Sequence, residues 1–294
     1  MNFVIIDLEW NGSYVKKVHG FFNEIIEIGA VKIGEDMQEK DRFQAIIRPV
    51  VSKKLTKLVT NLTSITDDEL TDGTTFTGAM AAFKRWIGQE DTIILTWSTT
   101  DLLVFLENYR YFCHTDTIPF MTAYADLQAY AQQCMDVPSH MQPGLSKAAE
   151  SLGINEEDVA HHRALDDSVL SGRILAKLYE EQAFMPFVYT ADQKFYDRIT
   201  FKNTYIVDPK NPLVKKEYLK FDCETCGKPL RFEGKWKHQN RALAALGVCD
   251  ACSKKFNARV QIKVKYDGVD VKRKLVEKKP KETEEATNNE QETQ

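Results

Sequence analysis

The 294-residue chain is 43% hydrophobic and 28% charged, an ordinary globular composition with no apolar run near the ~20 residues of a membrane span. Its length accommodates one full domain plus a smaller module. A formal net charge of −4 excludes a uniformly basic surface, yet residues 221–280 carry fifteen Lys+Arg against seven Asp+Glu, and residues 281–294 one Lys against five Glu. A basic module on an acidic body suits phosphate binding; a solvated basic surface is the plainer reading of the same asymmetry.

In chain order, Phe3 to Ile6 is a β-rich apolar run cut short by Asp7, with no basic segment before it. It reads as a strand and not a signal peptide, so a cytoplasmic protein is expected. Glu24–Ile33 and Phe43–Val50 read as two further strands, and the short spacings make the three an antiparallel meander. Helical patterns follow around Asp67–Leu70 and Thr77–Gly88, and Thr92–Trp97 is a β-branched, buried strand. Asp101–Phe112, Ala123–Gln132 and Leu145–Leu152 have helical periodicity, and in Ala164–Glu181 residues Leu170, Ile174 and Leu178 recur four apart. Strands followed by strand–helix alternation predict an α/β domain, a mixed sheet flanked by helices. That domain spans 1–182. Residues 183–220 read as a connector, 221–266 as a cysteine module and 267–294 as a charged, disordered tail.

Asp7 and Glu9 stand two apart on the first strand and share a face. Adjacent carboxylates at the end of a buried strand repel each other and are penalised by desolvation; a divalent cation removes the conflict. Asp167 falls on the same helical stripe as Leu170, Ile174 and Leu178, so a carboxylate faces the core and needs a partner, while Asp166 lies at the stripe's edge. His162 sits on the loop entering that helix, where an imidazole titrating near neutrality takes a proton from water; His161 beside it points elsewhere. Viewed alone, either histidine is better read as a surface or structural residue, and Asp101 as a helix N-cap.

Four of six cysteines form two C-x-x-C pairs, Cys223/Cys226 and Cys249/Cys252, with twenty-two residues between. Four thiolates in two tight pairs suit one structural Zn²⁺ in tetrahedral coordination; Cys113 and Cys134 read as buried thiols. Lys228, Arg231, Lys235, Lys237, Arg241, Lys254, Lys255 and Arg259 surround the pairs, with Phe232, Trp236 and Phe256 interleaved. Cations plus aromatics track a phosphate backbone and stack bases, although Trp236 and Phe256 are equally candidates for the core of a module too small to fold without its metal.

Asp7-Leu8-Glu9, Asp101, and His162 with Asp167 together resemble the DnaQ-like 3′–5′ exonuclease superfamily in its histidine (DEDDh) subclass, over roughly residues 1–180. Glu-Ile-Ile-Glu-Ile-Gly-Ala-Val after the first motif is similar to the family's sequence, as is Leu62-Thr63-Ser64-Ile65-Thr66, in which Ser64 replaces the usual glycine. Trp97-Ser98-Thr99-Thr100-Asp101 is similar to the branch containing eukaryotic histone-mRNA and RNA-interference exonucleases. The resemblance implies a ribonuclease H-like fold and two Mg²⁺ or Mn²⁺ ions. Asp7 would bridge both ions, Glu9 and Asp167 would hold the one carrying the attacking water, Asp101 would support the other, and His162 would be the general base. It also implies that the 3′ end is gripped around Leu8, Trp10, Leu62, Thr63 and Ile65, and that the partner is single-stranded nucleic acid, RNA favoured over DNA. A DNA-directed proofreading or repair exonuclease and a non-catalytic nucleic-acid adaptor are the competing readings.

Overall fold

The computed structural model describes residues 2–52, 54–88, 91–138, 140–156 and 162–278, apart from the side chain of Lys17; His161 and the tail beyond 278 lie outside the described residues. The chain divides into two compact units, 1–200 and 201–294.

In the first unit, β1 (Asn2–Val15), β2 (Gly20–Ile33) and β3 (Glu39–Ile46) form the expected antiparallel meander. β1 and β2 are longer than their apolar runs because ladder pairing continues through Asn11–Ser13 to Val15↔Gly20. Asp7 and Glu9 therefore lie within a strand and not at its end. Parallel pairing of β1 with β4 (Thr92–Thr96), and of β4 with β5 (Ala123–Asp126), extends the sheet, and β6 (Val188–Thr190) closes it antiparallel to β5. The strand order β3-β2-β1-β4-β5-β6 makes a mixed sheet of ribonuclease H type.

Two short helices, α1 (Lys57–Thr63) and α2 (Asp67–Thr71), follow β3. One core joins β1 and β2 side chains to α3 (Phe76–Ile87) and α4 (Thr100–Cys113), with Phe83, Phe105 and Leu106 fully buried. Each such side chain contributes roughly 1.5–3 kcal/mol by leaving water. Other cores receive α5 (Leu127–Cys134), α6 (Leu145–Ser151), α7 (Ala164–Leu178) and α8 (Glu181–Phe184). Residues 123–132 are thus not one helix. The Asp126 carboxylate accepts from the Ala129 N–H at 3.0 Å and caps α5, leaving Ala123–Asp126 to pair in the sheet; alternating alanines hid that break from periodicity. α9 (Gln193–Thr200) buries Phe195 and Tyr196 in the first core. With β6 paired in the sheet, residues 183–200 belong to the first unit and are not a connector.

The second unit is a sheet of β7 (Thr204–Ile206), β8 (Arg231–Gln239), β9 (Ala242–Cys249), β10 (Lys254–Lys265) and β11 (Gly268–Glu277), ordered β11-β10-β9-β8 with β7 also pairing β10. Asn240 and Arg241, both at positive φ, make the two-residue turn between β8 and β9. Residues 268–277, expected to be disordered, pair with β10 along their whole length. Val271 and Leu275 pack on the core around Phe256, Val260 and Ile262; flanking lysines masked that alternation in the composition. Cys134, read as buried, is exposed, and Cys113 is half-buried. Among the described residues no helix is long and apolar enough to cross a membrane.

Candidate active site and metal centres

Alternation along β1 builds the site. Val4, Ile6 and Leu8 enter the α3–α4 core, Phe3 and Ile5 the opposite one, and Asp7 and Glu9 continue the Phe3/Ile5 face by strand period. Val169 and Leu175 share a core with Phe3, Ile5 and Val31 and seat α7 on β1 and β2, while Leu170 and Ile174 turn to α5 and α6. The seating brings Asp167 to the strand, and one oxygen each from Asp7, Glu9 and Asp167 lie within 4.8 Å of one another. Asp101, buried in the first turn of α4, adds a fourth carboxylate that raises the pKa of both Asp7 and Glu9. It is not the N-cap, which is Thr99. The backbone N–H groups of Asp101 and Leu8 instead lower its pKa against the effect of burial. The β1–β4 ladder ends at Ile5↔Leu95, so the edge of β1 is open at that point.

Burial, then repulsion from Asp101, Asp167, Glu9 and Glu27, holds Asp7 well above the usual carboxylate range. Burial and the same kind of repulsion push Glu9 up to about 8, against a lowering by Arg163, and burial pushes Asp101 up to about 7. A crowded set of oxygen donors that cannot all ionise unaided fits hard divalent cations.

Several supports were not singled out in the sequence. Glu27, fully buried on β2, accepts from Arg163 Nη2 at 2.9 Å, Gln44 Nε2 at 2.6 Å and the Ala164 N–H at 3.3 Å. Arg163 also reaches Glu69 at 2.9 Å. Gly29 leaves no room for a side chain: a Cβ there would fall 2.0 Å from the Ala164 carbonyl carbon. Ser168 Oγ donates to the Gly29 carbonyl at 3.0 Å. These contacts press the start of α7 onto β2. Glu24 accepts from the N–H groups of Val50, Val51 and Ser52 at 2.6–2.9 Å. Asn11 donates to the Lys54 carbonyl and accepts from the Thr56 N–H, so the paired Asn11 and Glu24 fix the segment leading into α1. The visible signal was a polar residue at a core-facing strand position, as at Glu27 in Glu-Ile-Ile-Glu-Ile-Gly.

His162 is exposed on the turn before α7, at φ 64°. Trp10 is half-buried and Leu62 is 47% exposed. The remaining expected gripping residues are internal. Leu8 offers only backbone, Ile65 is buried with Ile26 and Leu70, and the Thr63 hydroxyl is spent on Val59 O and Ile65 N–H. An apolar or hydroxyl residue at the end of a helix looks the same in sequence whether it faces ligand or core. Ser64, φ 60° and ψ 8°, adopts the left-handed conformation in which glycine is free of strain, so the turn is kept despite the substitution.

In the second unit one sulfur from each of Cys223, Cys226, Cys249 and Cys252 lies within 4.8 Å of the others. Each pair turns on a left-handed residue just after it, Gly227 at φ 71° and Ser253 at φ 53°. Cys223 and Cys249 are buried in the core and the set is consistent with a small zinc-binding module. Trp236 packs on Phe221 and Phe232, and Phe256 is 1% exposed, so these aromatics serve the core.

Residues 4–175 match the family described as Exonuclease. The chain belongs to this exonuclease family. Among curated proteins it is 27% identical over 180 residues to the PolC-type DNA polymerase III of Staphylococcus haemolyticus, covering 61% of this chain and 11% of that protein. It is 26% identical over 232 residues to the PolC-type polymerase of Thermotoga petrophila, covering 74% of this chain and 16% of that one. The exonuclease chain therefore spans a small part of those relatives. Among solved structures, a full-length 3′-exonuclease aligns with a TM-score of 0.55 at 21% identity, over 65% of this chain and 67% of that one. The nuclease domain of 3′hExo, a DEDDh family member bound to rAMP, aligns at 0.53 and 24% identity, over 60% and 90%. These structures share the exonuclease fold.

Proposed function

We propose that the exonuclease removes nucleoside monophosphates from the 3′ end of single-stranded nucleic acid, with RNA preferred to DNA. The convergence of Asp7, Glu9 and Asp167 oxygens on one spot, with Asp101 beside them, carries the reading. Asp7, Glu9, Asp167 and Asp101 would hold two Mg²⁺ or Mn²⁺ ions. Such ions supply charge neutralisation at the phosphate and acidify bound water.

The rest falls to the chain's own groups. His162, as general base, takes a proton from the attacking water. The water oxygen bonds to phosphorus while the bond from phosphorus to the 3′ oxygen of the preceding nucleotide breaks, and that oxygen leaves and acquires a proton. Arg163 and Glu27 fix the turn on which His162 stands. The exposed Leu62 side chain and Trp10 offer apolar surface for the terminal nucleoside.

The Trp97–Asp101 segment favours RNA, as do the structural relatives described with rAMP or with the 3′ end of a histone mRNA stem-loop. The PolC-type polymerase relatives favour DNA. Product analysis on 5′-labelled RNA and DNA, with Mg²⁺ and Mn²⁺ and with wild type beside Asp7→Asn, tests the proposal. Wild type is expected to shorten RNA from its 3′ end and release monophosphates, and Asp7→Asn to be inert. Internal cleavage products, or full activity in Asp7→Asn, would overturn it; faster shortening of DNA in direct competition would reverse the preference.

A further inference from the structure

The outer face of the second unit's sheet carries a row of cations. Strand registers set Lys237 on β8 opposite Ala244 on β9, Ala244 opposite Arg259 on β10, and Arg259 opposite Lys274 on β11. Three inter-strand steps make the row about 14 Å long. It faces away from the core: Phe256, Ala258, Val260 and Ile262 point inward, and the alternating Asn257 and Arg259 are exposed. A groove of about 660 Å³ runs along it, with Ala244 and Ala245 in its lining beside Lys237, Arg259 and Lys274.

Like charges directly opposite each other in a sheet are destabilising, and Arg259 and Lys274 are such a pair. Among the described residues no carboxylate pairs with Lys237, Arg259 or Lys274. Four acids on the sheet and its turns pair elsewhere: Asp250 with Arg231, Glu233 with Lys255, Asp270 with Lys265 and Glu277 with Lys254. Arg259 is held in place by the Asn240 carbonyl at 2.7 Å, a contact that leaves its charge uncompensated. Small residues between the cations let an extended polyanion approach the strands closely.

We propose that this face is a second nucleic-acid site of the exonuclease, which grips the phosphodiester backbone of a single strand. The proposal rests on the exonuclease reading for the identity of the polyanion. It also sets the mode of recognition. No Phe, Tyr or Trp lines the groove, so it reads phosphates and not bases, and binding there is indifferent to sequence and to the 2′-hydroxyl.

The test uses full-length, zinc-loaded protein. In an Asp7→Asn background, the triple variant Lys237→Ala/Arg259→Ala/Lys274→Ala is titrated with fluorescent single-stranded RNA and DNA 20-mers across a salt series. Loss of three phosphate contacts is expected to weaken binding about a hundred-fold at 0.1 M salt and to reduce the log–log salt slope by about 2, equally for RNA and DNA. A control triple of equal charge, Lys210→Ala/Lys215→Ala/Lys216→Ala, is expected to change little. Unchanged affinity and slope in the first triple, or an equal loss in the control, would overturn the proposal. With Asp7 intact, both triples are expected to hydrolyse the p-nitrophenyl ester of thymidine 5′-monophosphate, a substrate without a strand, at the wild-type rate; a lower rate in the first triple alone would overturn a separate site. Failure of wild type on this ester and on labelled strands would instead sink the exonuclease reading, leaving the binding comparison intact.

Discussion

The Arg163 guanidinium and the Glu27 carboxylate meet at 2.9 Å across 136 positions of sequence, and Glu27 has no exposure to solvent. The contact does two things. It ties the turn bearing His162 to β2, and it supplies a positive charge that lowers the Glu9 pKa. Arg163→Ala would leave a buried carboxylate facing the other acids, a loss that costs about 3–5 kcal/mol when a buried pair is broken from one side. The expected outcome is a Tm lower by several degrees and a weaker apparent affinity for Mn²⁺, read by denaturation and by activity against metal concentration. An unchanged melting curve would mean that the pair contributes nothing to the fold.

Gly29 and Ala164 impose a stricter test of how α7 is seated. A methyl group at Gly29 would overlap the Ala164 carbonyl carbon and the Leu165 nitrogen, both at 2.0 Å, and backbone cannot rotate away as a side chain does. Gly29→Ala should push α7 outward and Asp167 with it. Overpacking of this kind costs about 1–3 kcal/mol, and a displacement of 1 Å at reacting groups can cost about a hundred-fold in rate. The expected signature is activity lost out of proportion to stability; a variant with wild-type kcat would show that α7 is not held by this contact.

The acidic cluster ties stability to pH in the absence of divalent ions. Glu9 is raised to about 8 and Asp101 to about 7, so both bind protons more tightly in the folded state. Raised carboxylates contribute stability below their unfolded pKa values near 4, and that contribution is lost as pH rises through 7 to 8. Metal-free protein should therefore melt at a lower temperature at pH 8 than at pH 5, and Mg²⁺ or Mn²⁺ should restore more at pH 8. Metal binding near pH 6.5 should release protons, measured by calorimetry in buffers of different ionisation enthalpy. A metal-free Tm that rises between pH 5 and 8, or binding without proton release, would contradict the coupling.

These relationships explain which parts of the molecule could be read from sequence. Asp7 and Glu9 obey the two-residue period of a strand, so local geometry alone put them on one face. The stripe of Leu170 and Ile174, by contrast, packs with α5 and α6, and Asp167 meets β1 from the side of α7 that carries Val169 and Leu175. Arg163–Glu27 and Gly29–Ala164 join segments more than a hundred residues apart, and no local period encodes such a contact. The extra residue at Ile26 in β2, between the Glu9↔Glu27 and Trp10↔Ile25 pairs, was equally hidden. It leaves the Ile25 N–H to the buried Asn108 side chain at 3.2 Å. β11 was missed because its charged outward residues outweigh Val271 and Leu275 in composition, although not in alternation.

Ser64 offers a gain-of-stability test. A non-glycine residue in the left-handed region carries about 1–2 kcal/mol of steric cost, and Ser64 caps α1 at φ 60° with its N–H donating to the Thr60 carbonyl. Ser64→Gly removes the strain but loosens the unfolded chain, which offsets part of the gain. A net rise of about 0.5–1 kcal/mol is expected in chemical denaturation, with exonuclease activity retained because the backbone of the turn is already that of glycine. A drop in stability would mean that the Ser64 side chain makes a compensating contact.

Zinc removal should separate the two units. Cys223 and Cys249 are buried among Phe221, Leu230 and Phe256, so two uncoordinated thiols would stand inside the core. Structural zinc contributes about 10–16 kcal/mol in small modules at neutral pH, more than a sheet of this size supplies alone. The first unit has its own cores. Trp10, Trp86 and Trp97 lie in it, and Trp236 is the single tryptophan of the second. A strong chelator, or Cys249→Ser, should therefore move one of four indole N–H resonances to its random-coil position and leave three in place. Four unmoved resonances after zinc is shown to have left would mean that the thiol cluster does not hold the sheet together.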